Sequence, residues 1–245
     1  YQEYKMKRWL KEYALTPYII DGNEIYKSDL VRQKKMANDF GGAVFSLSYT
    51  NDRLNAFIGG GLNNYDGDHF GRVIWVKNYI GYLNPDHEYY RNSSTKLDGN
   101  IYLKANYDIT KSLSAFLDLQ YRHIGYKING TNDNYDWNNS GMQALKVDDN
   151  FNFFNPKFGL NWQINLKNRI YASFSVAQKE PTRNNYTDGM ADRYPRSERL
   201  NDYELGYVYA NRWLSVGANL YYMDYKDQLV LTGELNEIGE AMAEN

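Results

Sequence analysis

The residues able to do chemistry here are histidines beside carboxylates, loop aromatics and a run of arginines. His69 stands in Tyr65-Asp66-Gly67-Asp68-His69-Phe70, and His87 follows Asp86 in the same polar segment. A histidine flanked by acids can ligate a metal or contact a metal chelate, yet one His beside carboxylates is common on loop surfaces. Residues 129–139, NGTNDNYDWNN, alternate Asn and Asp as a calcium loop would, but they lack its central Gly and closing Glu. No metal site and no cofactor are therefore expected. The aromatics Tyr65, Trp75, Tyr89, Tyr90, Tyr135, Trp137, Tyr186 and Tyr194 fall in polar, irregular stretches. Exposed rings in loops suit stacking against a ligand, or packing of one loop on another. Arg183, Arg193, Arg196 and Arg199 could draw in an anion, although Glu180, Asp188, Asp192 and Glu198 lie close enough in sequence to neutralise them. With His69 and Arg193 included, this set forms the candidate ligand contacts.

Catalysis finds no support. The chain has no G-x-S-x-G, H-E-x-x-H or Walker sequence. Asp98, Asp118 and Glu204 share their strand faces with Lys104, Arg122, Lys157 and Arg169, which reads as a cross-strand lattice of ion pairs rather than an acid/base couple. A net charge of −2 over 245 residues gives no reason to expect nucleic acid, and the absence of cysteine removes disulfides and thiolate metal sites.

The elements that must carry these residues are strands. Between Phe151 and Val176, Phe154, Pro156, Phe158, Leu160, Trp162 and Ile164 alternate with Asn155, Lys157, Gly159, Asn161 and Gln163. After the turn Asn165-Leu166-Lys167-Asn168, Ile170, Ala172, Phe174 and Val176 alternate with Arg169, Tyr171, Ser173 and Ser175. A period of two with one apolar face is a strand, and two such runs about a short turn are a hairpin. The same design recurs around Thr50-Asn51-Asp52-Arg53, Asp108–Ser112 and Ala210-Asn211-Arg212. About eight strands in four hairpins are expected over 40–231, with 232–245 as loop and 1–39 as loop, the start of the first strand and a short amphipathic helix built on Met6, Trp9, Leu10 and Tyr13. Segments 63–96, 128–150 and 179–201 read as long loops.

One face of each strand is apolar for about ten positions while the other carries Lys and Arg, so one side must be wet and the other can meet hydrocarbon. Strands in lipid must pair every backbone group, which requires a closed barrel. Tyr appears 25 times and mean hydropathy is −0.74, a composition that suits alternating barrel strands. Short turns at one end, long loops at the other and a turn-proximal band of Tyr49, Tyr107, Trp162, Tyr209 and Trp213 favour a membrane barrel over a soluble sandwich or lipocalin-like barrel. The fold class expected is an all-β, antiparallel, up-and-down transmembrane barrel, present in part.

Ser173–Arg183, SFSVAQKEPTR, and Ser197–Tyr207, SERLNDYELGY, resemble the mid-to-late barrel of a TonB-dependent outer-membrane receptor, with Pro181 near a strand exit and Glu198 before Tyr203-Glu204-Leu205-Gly206. Trp213–Leu231 resembles the strand that follows, and Tyr65–Trp75, YDGDHFGRVIW, an external loop of receptors from Bacteroides-type bacteria. The resemblance implies a barrel of about 22 strands around a globular plug, contacts with outer-membrane lipid, and energy passed from the TonB complex to import a small-molecule nutrient. An iron-siderophore is the first expectation, with haem, cobalamin or glycans as alternatives. No plug, TonB-contacting segment or terminal strand ending in an aromatic can be read in the sequence, so the chain is expected to be one section of the wall. A complete small barrel of structural or porin type is the competing reading.

Overall fold

The computed structural model describes residues 1–187, 195–235 and 241–244. Its strands are β1 (Gln2–Trp9), β2 (Tyr18–Ile20), β3 (Asn23–Ile25), β4 (Lys27–Thr50), β5 (Leu54–Val76), β6 (Glu88–Asp108), β7 (Leu113–Asp136), β8 (Gly141–Asn165) and β9 (Asn168–Lys179), then β10 (Glu198–Ala210), β11 (Ser215–Lys226), β12 (Val230–Leu235) and β13 (Ala241–Glu244). A 3₁₀ turn at Leu10–Tyr13 and a one-turn helix, α1, at Arg183–Thr187 complete the described elements. Nine strands form one sheet in the order β1-β4-β5-β6-β7-β8-β9-β10-β11, and β2-β3 and β12-β13 pair separately. The four expected hairpins are the pairs from β4/β5 to β10/β11. No described helix is long and apolar enough to cross a membrane, which leaves crossing by strands open.

Three sequence readings are corrected, the first being the tail: residues 232–245, expected as loop, hold the end of β12 and all of β13, which pair antiparallel because each offers the other a ladder. Residues 2–9 form no helix: they pair antiparallel with β4, Gln2 opposite Gln33 and Trp9 opposite Lys27, and only Leu10–Tyr13 turn helically. The i, i+3, i+4 spacing of Met6, Trp9, Leu10 and Tyr13 was overridden by the ladder that a neighbouring strand offers. The stretches read as loops at 63–96 and 128–150 are largely strand, since β5 runs to Val76, β6 begins at Glu88, β7 runs to Asp136 and β8 begins at Gly141. Tyr65–Trp75 is thus strand, not loop.

The chain forms two compact units. One comprises Tyr1–Gly41, Asn64–Leu97 and Gly125–Asp149; the other comprises Gly42–Asn63, Asp98–Ile124 and Asn150–Asn245. Strands β4 to β8 contribute residues to both.

In the second unit many of the expected apolar positions are exposed, while Phe174 is half-buried and Val176 is buried. Leu103, Leu117, Phe158 and Leu220 show between 37% and 71% of their surface, so they do not converge on a shared interior. Phe158, Phe174, Tyr203 and Tyr222 are successive register partners across β8 to β11, with ring centroids 5.4, 4.8 and 6.1 Å apart. A continuous exposed apolar surface of this extent is stable only against lipid. The hairpin turns repeat one device. The Oδ1 atoms of Asn51 and Asn211 each accept the backbone N–H groups two and three residues on, at 2.8 to 2.9 Å, as Asn165 Oδ1 does at 3.0 and 3.1 Å; the Thr110 hydroxyl accepts at 3.2 and 3.0 Å. Adjacent turns are also stitched together, Asp108 N–H to Arg53 O, Gln163 N–H to Ser112 O and Ala210 N–H to Lys167 O. Asx turns of this kind fix hairpin register.

In the first unit the alternation persists with its polarity exchanged. On β7 the even-numbered residues are Asp118, Gln120 and Arg122 in the second unit but Tyr126 and Ile128, both buried, in the first; the odd-numbered ones change from Leu117 and Leu119 to exposed Lys127 and Asn129. On β8 Leu145 and Val147 are buried while Lys146 and Asp148 are exposed, and Lys127 pairs with Asp148 at 3.1 Å. A strand whose exposed face is polar is standing in water, so on β7 and β8 the hydrocarbon-facing stretch is the part in the second unit. The core of the first unit gathers Leu10, Tyr13, Leu15, Tyr18, Leu30, Val73, Val76, Tyr89 and Tyr90. Arg32, only 1% exposed, donates to Glu3 at 3.0 Å and pairs with Asp133 at 3.4 Å, and Lys34 pairs with the same Asp133. Gly130 is the one interior glycine of these long strands with positive φ, 128°, and a side chain there would run into the backbone of Arg91 and Asn92 on β6.

Three outcomes follow. Leu160→Arg, on the lipid side, should lower barrel stability by about 2–4 kcal/mol, whereas Lys146→Leu should change it by under ~1 kcal/mol, read from heat-modifiable gel migration in a denaturant series. Asn51→Ala or Asn211→Ala should each cost about 0.5–1.5 kcal/mol in the same assay. Desolvation opposes ionisation of Glu3, but hydrogen bonds from Lys5, Tyr1 and Arg32 prevail and bring its pKa from 4.5 down to about 2. Its contribution to β1 docking should be complete above pH 4.5 and disappear as pH falls toward 2, with hydrogen exchange in β1 rising over that window and Glu3→Gln removing the dependence.

Candidate functional site

Two surfaces carry the functional groups: the polar side of the sheet in the second unit, and the loops and strand ends of the first. On the polar side, Arg122 of β7 chelates Asp98 of β6 at 3.0 and 2.6 Å and Glu180, just past β9, at 2.9 and 3.0 Å. One guanidinium thereby holds the start of the segment after β9 against two earlier strands. Lys104 meets Asp118 at 3.4 Å, and Asn155 donates to Gln120 at 3.2 Å. A hollow of about 660 Å³ lies here, lined by Phe57, Tyr102, Lys104, Asp118, Gln120 and Lys157 among others. Three aromatic rings on this side fill the space a side chain would take at glycines of neighbouring strands: Tyr102 at Gly59, Phe116 at Gly159 and Tyr171 at Gly206. The ion pairs account for Asp98 and Asp118 as parts of the cross-strand lattice.

The candidate ligand residues separate by burial. Tyr65 is half-buried and its hydroxyl donates to Asn38 Oδ1 at 2.8 Å. His69 is half-buried on β5. Trp75 is exposed, with its ring 6.2 Å from that of Tyr4. Tyr89, Tyr90 and Tyr186 are buried, which corrects the expectation that they offer exposed rings. Tyr89 lies between Tyr13 (centroids 4.9 Å apart, tilted) and Tyr90 (5.1 Å, edge to face), and burial, foremost, pushes its hydroxyl pKa well up. The cause lies in β6, which begins at Glu88 and turns these tyrosines into the core of the first unit. Arg193 and Tyr194 lie outside the described residues.

Tyr135 and Trp137 come together at the end of β7, their rings 5.1 Å apart. Trp9 joins them, 5.9 Å from Trp137, while Lys11 lies 4.2 Å over Trp137 and Lys27 lies 4.1 Å over Trp9. Sequence reasoning missed Trp9, Lys11 and Lys27 as members of this group, because a helix built on Met6, Trp9, Leu10 and Tyr13 hid the pairing of Trp9 with Lys27.

The remaining charged candidates are engaged. Asp86 pairs with Arg72 at 2.7 Å, Glu88 and Asp68 with Arg91 at 2.7 and 2.6 Å, and Arg196 with Asp227 at 3.5 Å. The hydrogen bonds from Arg91, above all, hold the Glu88 carboxyl below its ordinary pKa. His87 Nε2 lies 3.0 Å from Tyr13 O, and His123 Nδ1 lies 2.8 Å from Asn152 Oδ1. Among the described residues no group of three or more His, Asp or Glu is placed to hold a metal.

Residues 7–241 match the family model described as TonB dependent receptor-like, beta-barrel. The fold is similar to the ferric yersiniabactin uptake receptor FyuA from Yersinia pestis, with TM-score 0.53 and 13% identity over 83% of this chain and 33% of that one. It is similar as well to the ferric citrate transporter FecA in the unliganded form (TM-score 0.54, 12% identity, 81% of this chain and 29% of that one) and to the copper transporter OprC (TM-score 0.60, 12% identity, 89% and 34%). The chain thus spans about a third of the length of these solved transporters, and at such identities the likeness is one of fold. No curated protein matches the chain. With its exposed apolar wall, ion-paired opposite face and a family match over nearly its whole length, the chain belongs to the TonB-dependent receptor β-barrels, proteins of the bacterial outer membrane.

Proposed function

We propose that this chain is a section of the barrel wall of an active importer, one that binds a scarce nutrient outside the cell and admits it with energy relayed through the TonB complex. The first assignment of that nutrient is an iron-siderophore. One partial barrel domain, a plug domain elsewhere in the receptor and outer-membrane lipid around the wall complete this reading. The work is binding and gated passage; the polar groups of the wall form structural ion pairs rather than a reaction centre.

The observation that carries the reading is the exchange of polarity within single strands. Strands that keep their pairing for 21 to 25 residues, as β4 to β8 do, are far longer than a lipid band requires. Their surplus length forms a wetted, ion-paired framework that presents Tyr65, His69, Trp75, Tyr135 and Trp137. A barrel with a purely structural or porin role has no use for such an investment in aromatic and charged surface outside the bilayer. The solved transporters with the same fold carry ferric yersiniabactin, ferric citrate and copper by their descriptions, which agrees with a metal-chelate importer.

The receptor carrying this chain should restore siderophore-dependent growth under iron limitation to a host stripped of its own siderophore receptors, and deleting TonB should abolish that growth. Uptake that persists without TonB would contradict active import. Growth rescued by haem, cobalamin or a glycan in place of a siderophore would reassign the nutrient.

A further inference from the structure

We propose that the rim of hairpin turns in the second unit, through Arg53, Lys111, Lys167 and Arg212, binds the headgroups of anionic phospholipids in the inner leaflet of the outer membrane. The inference rests on the outer-membrane placement of the family and is independent of the nutrient proposed above.

Each of the four turns carries one cation: Arg53 between β4 and β5, Lys111 between β6 and β7, Lys167 between β8 and β9, and Arg212 between β10 and β11. All four are exposed, and all belong to the second unit. Among the described residues none of them has a carboxylate within ion-pair distance. Lys104 and Arg122, farther along β6 and β7, do: they meet Asp118 at 3.4 Å and Asp98 at 2.6 Å. Two carboxylates, Asp52 and Asp108, share the rim with the four cations, so its charge stays positive.

The turns form one joined row. The backbone carbonyls of Arg53, Ser112 and Lys167 each accept an N–H from the next turn at 2.7 to 2.8 Å. Asn51, Asn165 and Asn211 spend their Oδ1 atoms on the amides of their own turns, which leaves the cationic side chains as the principal free donors of the rim.

The row is continuous with the surface that meets hydrocarbon. Tyr49, Tyr107, Trp162 and Trp213, all exposed, stand one to five positions from these cations. The Tyr49 hydroxyl accepts from Asn51 at 3.3 Å and the Tyr209 hydroxyl from Asn211 at 2.9 Å, which sets turns and aromatic band at adjoining depths. Rings with an apolar body and a polar tip settle at the headgroup level, and Lys and Arg reach the phosphates there on their aliphatic stems. The Arg212 guanidinium lies 5.4 Å from the centre of the Trp213 ring, a placement that leaves its N–H edge for a phosphate.

Short turns lie on the periplasmic side of outer-membrane barrels, where the leaflet is built of phospholipid. An anionic headgroup answers both the charge of the rim and the apolar wall above it. A zwitterionic headgroup brings its own ammonium and leaves part of that charge unanswered; an acidic protein would match the charge and not the wall.

The test uses the receptor that carries this chain, reconstituted in phosphatidylcholine vesicles with a trace of spin-labelled phosphatidylglycerol or spin-labelled phosphatidylcholine. The motionally restricted fraction of each label should show phosphatidylglycerol preferred about threefold or more, and the preference should fall as salt is raised. Changing Arg53, Lys111, Lys167 and Arg212 together to Gln should cut that preference at least twofold with heat-modifiable migration unchanged. The charge-keeping set, Arg53→Lys, Lys111→Arg, Lys167→Arg and Arg212→Lys, should retain it. Where the fourfold variant fails to fold, Lys111→Gln with Lys167→Gln should still lower the preference. No preference in the unaltered receptor, an unchanged preference after neutralisation, or an equal loss in the charge-keeping set overturns the inference. Loss of bound lipopolysaccharide in place of phosphatidylglycerol also overturns it, since the rim would then face the other leaflet. Siderophore-dependent growth of the same variants reads the import proposal separately.

Discussion

Everything in this chain follows from the cost of an unpaired peptide group in hydrocarbon. A backbone N–H or C=O without a partner there costs several kcal/mol, so the wall must be a ladder in which each strand is satisfied by its neighbours. Registers such as Arg199 opposite Lys226 through Ala210 opposite Ser215 run without a break over the entire contact of β10 with β11, and β9 pairs with β10 just as continuously. Once the ladder is complete, the side chains are free to differ on the two faces. One face takes Phe158, Phe174, Tyr203 and Tyr222, and the other takes Arg122, Asp98 and Glu180.

The same ladder explains why strands continue where the solvent changes. In water, pairing is no longer compulsory, yet extending an existing ladder adds residues to a framework whose neighbours are already fixed. Only the assignment of polar and apolar positions needs to be reversed, and β7 does this within a few residues, from Leu117 and Arg122 to Lys127 and Ile128. A buried ionic knot, Arg32 with Glu3 and Asp133, then replaces lipid as the agent that orders the first unit. Its parts come from β1, β4 and β7, so it ties the edge strand to the middle of the sheet order.

The sequence made the four hairpins legible because apolar alternation and an Asn or Thr turn occur together at each one. Lys27–Thr50 and Asn168–Lys179 begin or end close to where that pattern does. It hid the long strand extensions for a physical reason. Residues such as Asn63, Asn64, Tyr65, Asp66, Gly67 and Asp68 have loop composition, and their strand state is imposed by partners on both sides rather than by propensity. The candidate aromatics were separable only by coordinates: Trp75 and Trp137 are exposed while Tyr89 and Tyr90, of the same residue classes and in similar context, are buried. Arg32 stands beside Lys34 and Lys35 in sequence, and nothing local announces that its partners stand at positions 3 and 133.

The tyrosine and phenylalanine rings that rest on Gly59, Gly159 and Gly206 give the polar side of the wall its texture. Each ring takes up the room left where a neighbouring side chain is missing. A larger residue at any of these three glycines would have to evict its ring, so ring and glycine can change only together.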